Sequence, residues 1–262
     1  MDPTERFEAL VQGPEPAIPL DELTLLVAAH AEPGLDVAKW LGALDEIAAR
    51  CSDDTFGGLV RHVSTEGFGG NRDDYYDPHN SYLHHVIERR TGIPITLSII
   101  MIELGRRIGV PVVGVGMPGH FLVRDGLDAF SFADPFNGEL LDREGCERAF
   151  GETHSDLSFD DSYLAPVGTR SIVGRLLANL KGIHLARRDR HALAWVLRLR
   201  VAVPGVPVAE RRELASALAA DGRFLEAAVV LDDMAELARN SGDVDAAEDA
   251  DRGATRLRAR LN

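Results

Sequence analysis

The stretch Gly92-Ile93-Pro94-Ile95-Thr96-Leu97-Ser98-Ile99-Ile100-Met101-Ile102-Glu103-Leu104-Gly105-Arg106-Arg107-Ile108-Gly109 is apolar almost all round until Glu103. A helix without a polar stripe belongs at the centre of a core, because no side of it gains by facing water. Pro94 suits the first helical position, whose N–H has no partner within the helix. Gly109 suits the stop, and Arg106 and Arg107 sit favourably near the negative end of the helix dipole. After Pro111 the pattern turns to β, and Val112-Val113-Gly114-Val115-Gly116 reads as a short apolar strand. His120-Phe121-Leu122-Val123-Arg124 and Ala129-Phe130-Ser131-Phe132-Ala133-Asp134 read as two more, joined by the turn-rich Asp125-Gly126-Leu127-Asp128.

Upstream of that stretch, residues 20–31 and 35–51 carry apolar side chains at helical spacing, separated by Pro33-Gly34. Leu23, Leu26 and Val27 mark the first, and Val37, Leu41, Leu44 and Ile47 the second. A third helix is expected over 53–66, with Phe56, Leu59, Val60 and Val63 inward. A fourth is expected over 80–90, with Tyr82, Leu83, Val86 and Ile87 on one side, after the break at Gly67-Phe68-Gly69-Gly70-Asn71.

The hairpin carries the chemistry. If Gly126-Leu127-Asp128 is the loop, pairing is symmetric about Leu127, and His120 stands opposite Asp134. Opposed residues share a face, with Cβ atoms about 4.5–5.5 Å apart, which is hydrogen-bonding reach for an imidazole and a carboxylate. A slip of two residues moves the pair to a diagonal and keeps it on one face. An acid so placed fixes the imidazole tautomer and raises its basicity, as in Cys-His-Asp and Ser-His-Asp enzymes. The alternative is a purely structural pair at a strand end. A nucleophile would be wanted at the start of the long apolar helix, where the dipole and free N–H groups depress a thiol's pKa. No cysteine lies there; Cys51 and Cys146 fall in segments read as ordinary helix, as small core hydrophobes. The hydroxyls available are Ser98, about 40° from Pro94 on the helix face and one turn deeper, and Thr96, about 200° round. Either one can simply bond to a carbonyl of the preceding turn.

Residues 71–138, with the flanking Gly70, resemble the SirB-type branch of the transglutaminase-like superfamily. The motifs that carry the resemblance are Gly70-Asn71 with Tyr75-Tyr76-Asp77, Asn80-Ser81-Tyr82-Leu83, Gly92-Ile93-Pro94-Ile95-Thr96-Leu97-Ser98, Gly114-Val115-Gly116-Met117-Pro118-Gly119-His120-Phe121-Leu122-Val123 and Asp134-Pro135-Phe136-Asn137-Gly138. The resemblance implies a papain-like α+β fold, with the core helix packed on an antiparallel sheet and a tetratricopeptide-type helical region completing the chain. It also implies that His120 and Asp134 occupy the positions of the family's catalytic His and Asp. With Gly109-Val110-Pro111 as anchor, the catalytic Cys position falls near Pro94, which has neither thiol nor N–H.

Charge divides the chain. Residues 1–165 hold 12 Lys/Arg against 29 Asp/Glu, a net of −17; residues 166–262 hold 16 against 13, a net of +3. With the Pro166-Val167-Gly168 punctuation, this predicts two units, 1–165 and 166–262; the alternative is one domain whose charges sort along the chain. Helical spacing recurs over 171–187, 190–203, 208–220, 223–239 and 243–260. Ala192 superposes on Ala227 at an offset of 35, against about 34 for a tetratricopeptide repeat. This reads as two degenerate helix pairs and a capping helix, or else as an undifferentiated bundle. Stacked pairs form concave surfaces that bind peptides or proteins.

The overall net charge of −14 argues against nucleic-acid partners, since phosphate backbones are repelled. No apolar run approaches the roughly 20 residues of a membrane span, and Met1-Asp2-Pro3-Thr4-Glu5 has no secretory character, so a cytoplasmic protein with reduced thiols is expected. His79, His84 and His85, with Asp77 or His120, are the residues a zinc site would use. Neighbouring helical residues point about 100° apart, however, so no metal site and no cofactor are expected. Gly114-Val115-Gly116 lacks a third glycine and opens no helix, so it is no dinucleotide fingerprint. Asp73, Asp74 and Asp77 read as a solvated loop. Three functions compete: a non-catalytic adaptor or regulator that binds proteins, a hydrolase or acyltransferase using His120 and Asp134 with a hydroxyl or water, and a metal protein.

Overall fold

The computed structural model describes residues 2–261. The chain divides into two compact units, Met1–Leu176 and Leu177–Asn262.

The first unit begins with four helices: α1 (Pro3–Val11), α2 (Leu20–Ala31), α3 (Val37–Ala49) and α4 (Phe56–Thr65). Helix α4 starts later than the expected residue 53. Thr55 takes the cap, its side chain accepting from the Gly58 N–H, while Asp53 folds back to accept from Thr55. A short parallel ladder follows, β1 (Gly69–Gly70) with β2 (Thr91–Gly92), flanking α5 (Leu83–Arg89). The expected helix over 80–90 is thus shorter, because Pro78–Ser81 forms a 3-10 turn and Tyr82 adopts an extended conformation.

Helix α6 (Pro94–Ile108) then runs through the middle of the unit. Its residues from Pro94 to Met101 are all buried, as an all-apolar surface requires. Gly109 ends it in the left-handed region, φ 80°. A five-stranded antiparallel sheet follows: β3 (Val112–Val115), β4 (Leu122–Asp125), β5 (Phe132–Asp134), β6 (Glu139–Leu141) and, after α7 (Arg143–Thr153), β7 (Pro166–Val167). The spatial order is β6-β5-β4-β3-β7. Val115, Leu122 and Phe132 cluster with Cys146 and Phe150 of α7, while α6 packs against β3 and β4. The unit is therefore a mixed helix-and-antiparallel-sheet domain with α6 at its centre.

The hairpin register differs from the expected one. Val123 pairs with Ala133 and Arg124 with Phe132, two residues out from a pairing centred on Leu127. The connection is a five-residue loop, closed by the Asp125 N–H donating to the Ser131 carbonyl. The reason is side-chain chemistry. Asp125 accepts from the Leu127 N–H, and Asp128 accepts from the Phe130 N–H and the Ser131 hydroxyl, building two local Asp turns where a tight loop was expected.

Helix α8 (Thr169–Arg187) carries the division between units, later than the charge boundary at 165. Its first turns belong to the first unit: Ile172 faces Gly114, and Arg175 bonds to carbonyls before β4. The second unit holds the rest of α8 with α9 (Arg190–Ala202), α10 (Ala209–Ala220), α11 (Phe224–Ser241) and α12 (Val244–Arg258). Helix α9 packs on α10, α10 on α11 and α11 on α12. Small buried residues, Ala192, Ala194, Ala217, Ala227, Ala235, Ala247 and Ala250, let these helices approach closely. No helix among the described residues is long and apolar enough to cross a membrane.

Candidate functional site

His120 stands just before β4 and Asp134 ends β5. The observed register sets them on a diagonal, yet they meet: His120 Nε2 lies 2.8 Å from Asp134 Oδ2. Asp134 is 2% exposed and fully engaged. It also accepts from the Phe136 N–H at 2.9 Å, the Asn137 N–H at 3.3 Å and the Asn137 side-chain amide at 2.7 Å. Burial by itself would push the Asp134 carboxyl up. The His120 ring, Asn137 and the Phe136 N–H outweigh it and hold the acid below the usual carboxylate range.

The imidazole is held from behind. Arg175 donates to the Met117 carbonyl at 2.9 Å and the His120 carbonyl at 2.7 Å, with its guanidinium over the Phe121 ring. Phe136 presents an edge contact to His120 at a ring separation of 6.3 Å. The same Phe136 ring packs on Gly70, where an added Cβ would meet ring carbons at 2.4–2.5 Å. The Gly70 N–H donates to the Phe136 carbonyl, and Gly70 pairs with Gly92 next to the start of α6. His120 Nδ1 has no hydrogen-bond partner among the described residues, and its side chain is 14% exposed.

The nucleophile positions behave differently. Pro94 is the first residue of α6, near which the resemblance implies a cysteine position. The Thr96 hydroxyl donates to the Asn80 carbonyl and accepts from the Ile93 N–H, closing the start of the helix. The Ser98 hydroxyl is fully buried with no hydrogen-bond partner among the described residues, so neither hydroxyl is joined to His120. Cys146 comes to the buried side of the sheet, but burial, Asp142 and Asp134 push its thiol up to about 12, so it stays protonated at neutral pH. Cys51 is half-buried and donates to the Asp53 carbonyl.

Sequence reasoning missed Arg175 and the structural part of Asn80. Nothing in the sequence near Arg175 signals it, because it arrives from beyond the charge boundary. Asn80 is fully buried and ties the 71–80 segment together: it accepts from Asn71 and Arg89 and donates to the carbonyls of Asp74 and Tyr75. Asp77 is also more than a solvated loop residue. Burial raises its carboxyl, but Arg89 and His79 win and hold it down at about 2.

The expectation that adjacent histidines cannot converge is also corrected. His84 and His85 both reach Glu32, which caps the end of α2. His84 Nε2 lies 3.0 Å from Glu32 Oε2, and His85 Nε2 lies 2.5 Å from Glu32 Oε1. The partner approaches from another helix and spans both rings, which sequence spacing on α5 does not reveal. His79 and Asp77 bond to each other instead, and His120 is not part of the group.

The sequence pattern of the transglutaminase-like superfamily matches residues 39–178, which takes in α3 to the first turns of α8. A UPF0162 protein of Xylella fastidiosa is 45% identical over 154 residues, 55% of this chain and 54% of that one. A UPF0162 protein of Pseudomonas aeruginosa is 33% identical over 197 residues, 71% of this chain and 72% of its own. Human F-box only protein 21 is 35% identical over 132 residues, 47% of this chain and 20% of its own. The chain thus spans about half the length of the first of these relatives. No solved structure matches it. With more than half of the chain under the superfamily pattern and most of both chains aligned in the Pseudomonas relative, the protein belongs to the UPF0162 family within the transglutaminase-like superfamily.

Proposed function

We propose that this protein is a non-catalytic, regulatory member of the transglutaminase-like superfamily, of the SirB type, that acts by binding other proteins. One observation carries the reading: α6 begins at Pro94, near which the resemblance implies the nucleophilic cysteine, and no thiol lies there. An acyl-transfer enzyme of that class needs a thiolate at a helix start. Proline supplies none, and the Cys146 thiol is sealed in the core. The His120–Asp134 pair then serves as a clamp, drawing the segment before β4 onto the end of β5.

The binding part of the proposal rests on the helical region, expected over 166–262 and found as the second unit from Leu177, read as tetratricopeptide-like. A cavity of about 400 Å³ lies between α10, α11 and α12, with Ala215, Leu231 and Ala250 as apolar lining and Arg212, Asp249, Arg256 and Arg260 as its charged groups, Arg212 pairing with Asp249 at 2.9 Å. Three arginines against one aspartate suit an acidic peptide segment. The match to F-box only protein 21 covers one fifth of that protein, which agrees with a module reused inside longer chains.

A second reading is favoured by one specific feature. His120 keeps a free Nδ1 and some exposure, so a water-using hydrolase with His120 as base and Asp134 as its orienting acid stands as the alternative. The experiment that separates them compares wild type with His120→Ala. In the regulatory reading the variant melts at a lower temperature, and neither protein turns over amide or acyl-donor probes with amine or water acceptors. Turnover by wild type that disappears in the variant, with melting unchanged, overturns it.

A further inference from the structure

We propose that Glu32, His84 and His85 form a binding site for a borderline divalent cation of the Zn²⁺ class, with Glu32 supplied by α2 and both imidazoles by α5. Three ligand atoms, one from each side chain, lie within 4.8 Å of one another. Two imidazole nitrogens and a carboxylate oxygen are a donor set that zinc uses, with a fourth position open to water or a ligand.

The state of His84 points to a ligand. Its ring is 2% exposed, wedged near Trp40 at a ring separation of 5.7 Å and Tyr82 at 6.4 Å. Neither of its nitrogens makes an aligned hydrogen bond, although Nε2 is 3.0 Å from the Glu32 carboxylate. A buried imidazole left so is costly, because it has given up water and gained only a poorly aligned contact with Glu32. The two rings sit side by side, centroids 4.1 Å apart, with both Nε2 atoms turned to the same carboxylate. A cation between them engages both Nε2 atoms and the carboxylate at once.

Geometry allows closure. Zinc bonds of about 2.0–2.2 Å to nitrogen and oxygen set ligand atoms a little over 3 Å apart. The present separations, 2.5 and 3.0 Å to the carboxylate and no more than 4.8 Å across the group, bracket that value. Glu32 is 41% exposed at its side chain and His85 21%, so the carboxylate has room to turn and the ion has a way in. His79 packs its edge on His85 at 4.6 Å and limits how that ring can swing. The site is built on the α2–α5 contact and uses none of the residues that hold His120, so it stands or falls independently of the regulatory reading.

The test uses the full chain, stripped with a chelator and dialysed. Zn²⁺ binding is measured by calorimetry and metal content, and Co²⁺ binding by its visible d–d absorption. Wild type is expected to take up one equivalent, and the Co²⁺ spectrum to report nitrogen and oxygen ligands. Glu32→Gln and His85→Ala are each expected to weaken binding by at least about 10-fold, the lower end of what even outer residues contribute. His191→Ala, an exposed histidine of the second unit, is expected to bind as wild type does. Glu32→Gln preserves shape and shows the effect even if a His84 variant fails to fold. Absence of uptake by wild type, or undiminished uptake by both Glu32→Gln and His85→Ala, overturns the proposal.

Discussion

The two ends of α6 are held by opposite means. At its start there is no charge: Pro94 occupies the first position, and a single threonine hydroxyl joins the Ile93 N–H to the Asn80 carbonyl. At its end, five charged groups interlock. Arg107 bonds to Asp21 at 2.7 Å, Glu103 at 2.9 Å and Asp45 at 2.6 Å, while Arg106 bonds to Asp21 at 3.0 Å and Glu103 at 2.8 Å. Glu103 and Asp21 are both buried, 2% and 3% exposed. Burial and the neighbouring Asp21 push the Glu103 carboxyl up, so this end depends on its arginines. The stiff, charged end anchors the helix to α2 and α3; the quiet end is spliced to the β1–β2 ladder, which Phe136 joins to His120. A charged anchor is strong while whole and costly when broken, whereas a packed apolar junction yields by degrees.

That contrast predicts a ranking. Arg107→Ala leaves two buried carboxylates facing one remaining arginine. It is expected to cost about 3–5 kcal/mol, read as a large fall in the denaturation midpoint. A loss under about 1 kcal/mol would show the network to be slack. Gly70→Ala drives a methyl into the Phe136 ring and is expected to cost about 1–3 kcal/mol. It should also broaden or shift the His120 ring signals in NMR, since Phe136 carries the disturbance to the imidazole. Unmoved signals would break the proposed path between α6 and His120.

The smallest effect at neutral pH belongs to Asp134→Asn, on the order of 1 kcal/mol. Its signature is in the acid limb. The Asp134 carboxyl is lower in the folded chain than its ordinary value of 3.8. Its contribution is therefore complete above that value and is lost as pH falls through the folded-state pKa. Denaturation midpoints measured down the acid range should fall more steeply in wild type than in the variant. Parallel curves would mean that the His120–Asp134 bond adds nothing to stability.

Much of this architecture can be read from residue order. The all-round apolar pattern of 94–108 marks the central helix, and Pro94 and Gly109 mark its limits, because helix ends obey local backbone rules. The spacing of the five C-terminal helices is equally local. His120 and Asp134 are legible as a pair because side-chain alternation survives a two-residue slip, whereas the loop is not legible: Asp125 and Asp128 compete for backbone N–H groups in a way that a strand pattern does not display.

What residue order determined by itself is thus most of the helices, though not α1, together with the face shared by His120 and Asp134 and the lack of a thiol at the head of α6. The tertiary structure alone decided which distant groups meet. It brought Asp21 and Asp45 to Arg107, Glu32 to His84 and His85, and Arg175 to the carbonyl of His120. The physical reason is that periodicity is written by neighbours along the chain, whereas a buried charge or imidazole chooses its partner from whatever packing delivers, regardless of separation in sequence.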